Sequence, residues 1–185
     1  GQIPYDSGEI KKGHNVFSGY FDQEMASLNP DNSIVDEIWD NYPNLNHYQI
    51  RTYLSQFLFV GDDIFKEIGD LSGGEKARVA LLKLMLSKSN FLLMDEPTNH
   101  LDIDSKEVLE DALNDYSGTI FVISHDRYFL NQVVNKIFEL TPDGLNEYLG
   151  NYDYYVEKKQ ELNIVEEDED PRTKTQIKLD KKREK

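Results

Sequence analysis

The sequence has no cysteine, which excludes disulfides and is compatible with an intracellular location. It also lacks any apolar run near the roughly 18 to 20 residues needed to span a bilayer. No charged-then-apolar signal segment opens it. No stretch matches G-x-x-x-x-G-K-[ST], the loop whose amides and lysine hold nucleotide phosphates. Positive charge is scarce: 20 Lys and Arg face 35 Asp and Glu, for a formal net charge of −15. That balance argues against a body that binds nucleic acid through a general basic face. At 185 residues the chain can hold one ordinary domain with a sizeable core, plus a tail.

The charge is unevenly spread. Residues 172 to 185 carry seven Lys or Arg against two acids, leaving about −20 on everything before them. An acidic run, residues 166 to 170, precedes them and is closed by Pro171. Both runs read as a solvated linker, with a second reading in which the basic end begins an extension that touches RNA.

Residues 7 to 13 and 16 to 21 read as short strands between turn residues. From 25 to 70 the apolar spacing turns helical, interrupted at Asn29-Pro30 and at Tyr42-Pro43-Asn44, with a core stripe of Trp39, Tyr53, Phe57 and Phe59. Ser72 and Glu75 form a capping-box pattern ahead of an apolar helix over 79 to 86. Asp104 and Glu107 repeat that pattern before Val108, Leu109, Ala112 and Leu113. Residues 119 to 123 read as a parallel strand covered on both faces, and 136 to 150 as a hairpin around Pro142-Asp143-Gly144. Beyond Gly150, Tyr152, Tyr155 and Val156 suggest one or two docked helical turns.

Two segments carry chemistry. Leu71-Ser72-Gly73-Gly74-Glu75 opens a helix through two glycines, which lets backbone N–H groups approach a phosphate. Residues 91 to 94 form an apolar strand that ends in Asp95 and Glu96. Carboxylates at the carboxyl end of a parallel strand lie in the crevice where open α/β sheets bind ligands. One of such a pair can hold hydrated Mg²⁺ while its neighbour orients and deprotonates a water.

Together these segments, with Pro97-Thr98-Asn99-His100-Leu101-Asp102, resemble the signature motif, Walker B strand and D-loop of an ATP-binding-cassette (ABC) ATPase. The resemblance implies an α/β, P-loop NTPase-like fold: a mainly parallel sheet with flanking helices and an inserted helical subdomain. Gln23 resembles the Q-loop glutamine, and only 22 residues precede it. The chain therefore resembles a domain that begins after its own Walker A helix, a fragment whose missing N-terminal strands leave part of the core exposed. By this resemblance residues 1 to 24 are a remnant of the ATPase core and 25 to 90 the helical subdomain and signature helix. Residues 91 to 150 are then the core with Walker B, D-loop and switch histidine, and 151 to 185 a charged tail.

The resemblance also implies roles. Asp95 holds Mg²⁺, Glu96 acts as general base, Gln23 completes the metal and water contacts, and His125 is the switch histidine at the γ-phosphate. Ser72, Gly73, Gly74, Glu75 and Asp102 meet ATP in trans, bound by a second ABC domain. His14 and His47 have no such context and read as structural. Glu75 where glutamine is frequent, the wording of 97 to 102 and 124 to 130, and Leu149-Gly150-Asn151-Tyr152 resemble the F subfamily. Its members are soluble, cytoplasmic, two-domain proteins without a membrane domain, many acting on the ribosome and its rRNA. The resemblance thus implies an ATPase as the full-length protein and an inactive fragment by itself. A transporter ATPase subunit, a chromosome-maintenance ATPase head (disfavoured by the compact segment between Gln23 and Ser72) and a non-catalytic binding module are the other readings.

Overall fold

Three short apolar runs build a parallel sheet in the order β1-β2-β3: β1 Ser18–Phe21, β2 Phe91–Asp95 and β3 Thr119–Ile123. The computed structural model describes residues 7–21, 28–99 and 101–169, with side chains as far as Leu162. The chain divides into two units, Gly1–His125 and Asp126–Lys185.

In the first unit the register aligns Phe21 with Met94 and Asp95 with Ile123, so β2 and β3 end level and β1 ends one residue short of them. Paired residues of a parallel sheet share a face. Phe21, Leu92 and Met94 lie on the buried face. Helix α3, Gly73–Leu86, approaches β1 so closely that a Cβ on Gly19 would lie 2.6 Å from Leu84 Cδ1. Helix α4, Ile103–Asn114, packs against α3 and buries Val108, Leu109 and Leu113. The opposite sheet face carries Tyr20, Phe121 and Ile123, all exposed. The expectation that β3 is covered on both faces is thus corrected: apolar content marks a strand, but no covering layer on this face comes from the described residues.

The helical segment comprises α1, Ile34–Asn41, and α2, His47–Gln56. Ser33 caps α1 and accepts the Asp36 N–H, while Asn46 and Gln49 close a capping box on α2. Ile34, Ile38, Ile50 and Leu54 are fully buried, as are most of Phe57 and Phe59; Trp39 is only half-buried, its ring edge-on to His47. Glu37 is buried as well, and its carboxylate takes an ion pair from Lys83 Nζ at 2.5 Å and a hydrogen bond from the Asn32 amide at 3.1 Å. Residues 66 to 69 run back along 30 to 34, with Ile34 N–H donating to Lys66 O, Ile68 N–H to Asn32 O and Gly69 N–H to Pro30 O. That ladder pins the chain entering α3 to the segment that leads into α1.

Three local expectations change. Residues 7 to 13 form no strand, and β1 begins at Ser18 instead of Val16. With no neighbour paired to it among the described residues, the turn-rich opening has nowhere to place its backbone hydrogen bonds in a ladder. The cap of α4 is Asp102, two residues earlier than Asp104, because its carboxylate reaches the Ser105 N–H at 2.8 Å.

The second unit holds α5, Arg127–Val133, capped by Asp126, then the antiparallel hairpin of β4, Ile137–Thr141, and β5, Gly144–Tyr148. Gly144, at φ +137°, makes the turn. Helix α6 spans Tyr152–Glu169, longer than the one or two turns expected. The Glu-, Lys- and Gln-rich stretch consists of good helix formers, with a Lys158–Glu161 pair at 2.6 Å along one side, so the helix runs on into the acidic run. Asn131 and Asp153 exchange two hydrogen bonds of 2.9 Å, tying α5 to α6. Glu139 on β4 accepts from Tyr148 Oη at 3.2 Å, from Tyr155 Oη at 2.9 Å and from Lys159 Nζ. Among the described residues, no helix is long and apolar enough to cross a membrane.

Candidate active site

At the carboxyl edge of the sheet lie the last residue of β2 and the segment that follows β3. Asp95 is the last residue of β2, the central strand, and it is exposed. His125 follows β3 by two residues. Gln23 follows β1 by two residues but lies outside the described residues, as does His100.

Glu96 leaves β2 in left-handed backbone geometry, φ +46°. That conformation costs a non-glycine residue about 1 kcal/mol or more and clusters at functional sites. It is held by neighbours on both sides: Glu96 N–H donates to Ile123 O at 2.8 Å, and Asn99 N–H donates back to Glu96 O at 3.1 Å. Buried Pro97 and Thr98 fill the turn beneath. The resulting swing aims the carboxylate across to β3. Glu96 Oε2 accepts the His125 N–H at 3.3 Å, and Oε1 lies 3.5 Å from His125 Nε2. The carboxylate is 17% exposed and the imidazole 95% exposed, so a sheltered carboxylate stands beside a ring open to solvent.

The signature residues and Asp102 gather at a second position. Ser72 caps α3 in a full capping box: Ser72 N–H and Oγ–H both donate to Glu75 Oε2, at 2.9 and 2.7 Å, and Glu75 N–H donates to Ser72 Oγ at 3.3 Å. Gly74 is buried against the start of α4, where a Cβ would meet Asp102 Oδ2 at 3.0 Å and Ser105 Oγ at 3.1 Å. The start of α3 and the start of α4 are thus in close approach at Gly74 and Asp102. The Ser105 side chain and then its N–H hold the Asp102 carboxyl below its ordinary range. The Ser72 N–H, followed by its hydroxyl, does the same for Glu75.

Two basic residues that sequence reasoning passed over belong here. Arg78 lies one helical turn after Gly74, stacks over the Phe59 ring at 5.1 Å, and its charge adds to the lowering at Glu75 and Asp102. Lys66 Nζ stands 3.7 Å from Glu75 Oε1 and 2.8 Å from Asp63 Oδ1. The i, i+4 relation of Gly74 and Arg78 could have flagged the first. Nothing local signals the second, since it depends on the fold-back of 66 to 69.

Among the described residues, no group of three or more His, Cys, Asp or Glu could hold a metal by itself. A single carboxylate at a strand end still suits Mg²⁺, which keeps several waters and takes other oxygens from substrate phosphates. Asp95 fits that part.

Residues 1–99, more than half of the chain, match the family model described as ABC transporter. The chain belongs to the ABC transporter family. It is 54% identical over 182 residues to the ATP-binding protein YdiF of Bacillus subtilis, covering 96% of this chain and 28% of that protein. To ABC transporter F family member 5 of Arabidopsis thaliana it is 39% identical over 181 residues, covering 93% of this chain and 26% of that protein. The ABC chain thus spans just over a quarter of the length of these curated relatives. A solved structure named RNase-L Inhibitor superposes with a TM-score of 0.59 over 78% of this chain and 30% of that one, at 22% identity, a likeness of fold.

Proposed function

We propose that this ABC domain is part of an ATP-binding and ATP-hydrolysing unit of an F-type protein that acts on the ribosome, as a translation or antibiotic-resistance factor. The meeting of Glu96 with His125 at the carboxyl edge of the sheet, one residue from Asp95, carries the reading. Phosphoryl transfer to water is mainly positioning and charge stabilisation. The Glu96 carboxylate takes a proton from the attacking water, and its bond to the His125 N–H fixes where that oxygen points. The His125 ring would contact the γ-phosphate, and Gln23 would contribute to holding the metal and the attacking water. Mg²⁺, held by Asp95 through water, would neutralise charge developing on the phosphate oxygens. Ser72, Gly73, Gly74 and Asp102 serve ATP bound by a second ABC domain of the same protein, with Glu75 beside them as the partner of the Ser72 cap.

The F-type wording of residues 97 to 102 and 124 to 130, and relatives bearing the F-family name, support the branch. In this division residues 1 to 24 and 91 to 150 serve as ATPase core, 25 to 90 as helical subdomain and 151 to 185 as tail. The chain by itself hydrolyses ATP negligibly, and the full-length protein is a cytoplasmic, Mg²⁺-dependent ATPase.

The test uses full-length protein carrying Glu96→Gln. Turnover falls roughly 10²- to 10⁴-fold while ATP binding persists. The variant cosediments with ribosomes only when ATP is present, and less so as salt rises. Near-normal hydrolysis would remove Glu96 from the base role. Absence of ATP-dependent sedimentation at low salt, with capture of a membrane transporter subunit instead, would replace the ribosome by a transporter.

A further inference from the structure

The mouth of α3 already holds an anion. Glu75 Oε2 takes both protons that Ser72 offers, from the backbone N–H at 2.9 Å and the hydroxyl at 2.7 Å. Beside it, Gly73 is exposed, and a Cβ there would meet nothing within 4 Å. Helix N-termini favour negative charge, and here the chain supplies that charge itself. A hydroxyl has one proton. Ser72 therefore cannot donate to Glu75 and to an incoming phosphate oxygen together, and a carboxylate left in place repels that phosphate. The other oxygen, Oε1, stands 3.7 Å from Lys66 Nζ, which a small rotation would close to a direct ion pair.

We infer that Glu75 is a latch: its carboxylate competes with the phosphate of ATP for Ser72, Lys66 receives it on release, and the pair sets the ATP level at which two domains close. The inference rests on the proposed trans contact of Ser72 with ATP. Glu75 is then a positioning residue that acts through Ser72, opposing engagement until ATP is abundant. The depressed protonation of Glu75, caused first by the Ser72 N–H and then by its hydroxyl, keeps the latch charged at neutral pH.

The experiment uses the full-length protein in a Glu96→Gln background, so that hydrolysis does not reopen it. A fluorophore pair on the two domains reports closure against ATP, and the thermal midpoint is read alongside. Glu75→Gln keeps an oxygen for the Ser72 cap but removes the charge, so half-closure moves to about two- to five-fold lower ATP, the size of one charge at a helix N-terminus. Lys66→Met, at a half-exposed side chain, removes the receiving cation and moves half-closure to higher ATP. A purely structural cap would shift the thermal midpoint of Glu75→Gln and leave its ATP requirement unchanged or higher; that result overturns the latch. So does Lys66→Met closing at the same or lower ATP. If the Glu96→Gln background never closes with ATP, the proposed function fails and takes the latch with it, whereas closure that ignores both substitutions sinks the latch alone.

Discussion

Gly73 and Gly74 are neighbours in one motif under different constraints. Gly74 is a packing glycine: a Cβ would press on Asp102 Oδ2 at 3.0 Å and Ser105 Oγ at 3.1 Å. Retreat of that carboxylate loosens its 2.8 Å bond to the Ser105 N–H, the cap of α4, a bond of the kind worth about 1 kcal/mol. Gly73 has open space and no left-handed backbone. Gly74→Ala should therefore lower stability by about 1 kcal/mol in urea unfolding, whereas Gly73→Ala should leave it unchanged or slightly raised. In the full-length protein Gly73→Ala should nonetheless weaken ATP-dependent closure, because its methyl stands where a phosphate would approach. A fully stable Gly74→Ala would show that α3 and α4 separate more readily than their contact suggests. The sequence displays both glycines identically; only the neighbour at Asp102 tells them apart.

At the scale of elements, α6 shows what periodicity misses. Its length comes from helix-forming composition, but its attachment comes from the Asn131–Asp153 bonds at its start and, further along, from Glu139 on β4, which gathers Tyr148, Tyr155 and Lys159. The Lys159 bond, followed by Tyr155, holds Glu139 below the ordinary carboxylate range, and Glu139 raises Lys159. A depressed carboxylate stabilises above its unfolded pKa, and that contribution is lost as pH falls through the folded value. Lys159 is raised, so its share is full below the ordinary lysine range and is lost as pH rises from there through the raised value. Attachment of α6 should thus be flat from neutral into alkaline pH and weaken below about pH 4. Hydrogen exchange over residues 152 to 160 should accelerate there, and Glu139→Ala should reproduce the acceleration at pH 7. Equal protection in wild type and variant at both pH values would mean that α6 is held by something other than this cluster.

For the whole molecule, the exposed sheet face is the largest departure from an ordinary core. Tyr20, Phe121 and Ile123 line it at 62%, 47% and 54% exposure. Contiguous apolar surface of this kind marks an interface or an aggregation liability. The chain by itself should bind a hydrophobic dye such as ANS at neutral pH and self-associate as salt screens its net charge of −15. Replacing Phe121 by Ser and Ile123 by Thr should lower dye binding without unfolding the sheet, whose opposite face holds Leu92 and Met94. Dye binding unaffected by the pair would place the open apolar surface elsewhere.

Much of the architecture was written in the sequence, because local rules were enough: the capping box at Ser72 and Glu75, the apolar strand before Asp95, the hairpin around Gly144 and the helices on either side of Pro43. The same local reading placed Asp95, Glu96 and His125 at strand ends, since strand termini follow from where apolar runs stop. Tertiary structure decided what distance in sequence hides. It put the Glu96 carboxylate on the His125 N–H, 29 residues away, through a left-handed turn that residue identity does not announce. It chose Asp102 over Asp104 as the cap, because the choice rests on which carboxylate reaches Ser105. It brought Lys66 to Glu75 and Lys83 to buried Glu37, since an ion pair depends on packed geometry and not on composition.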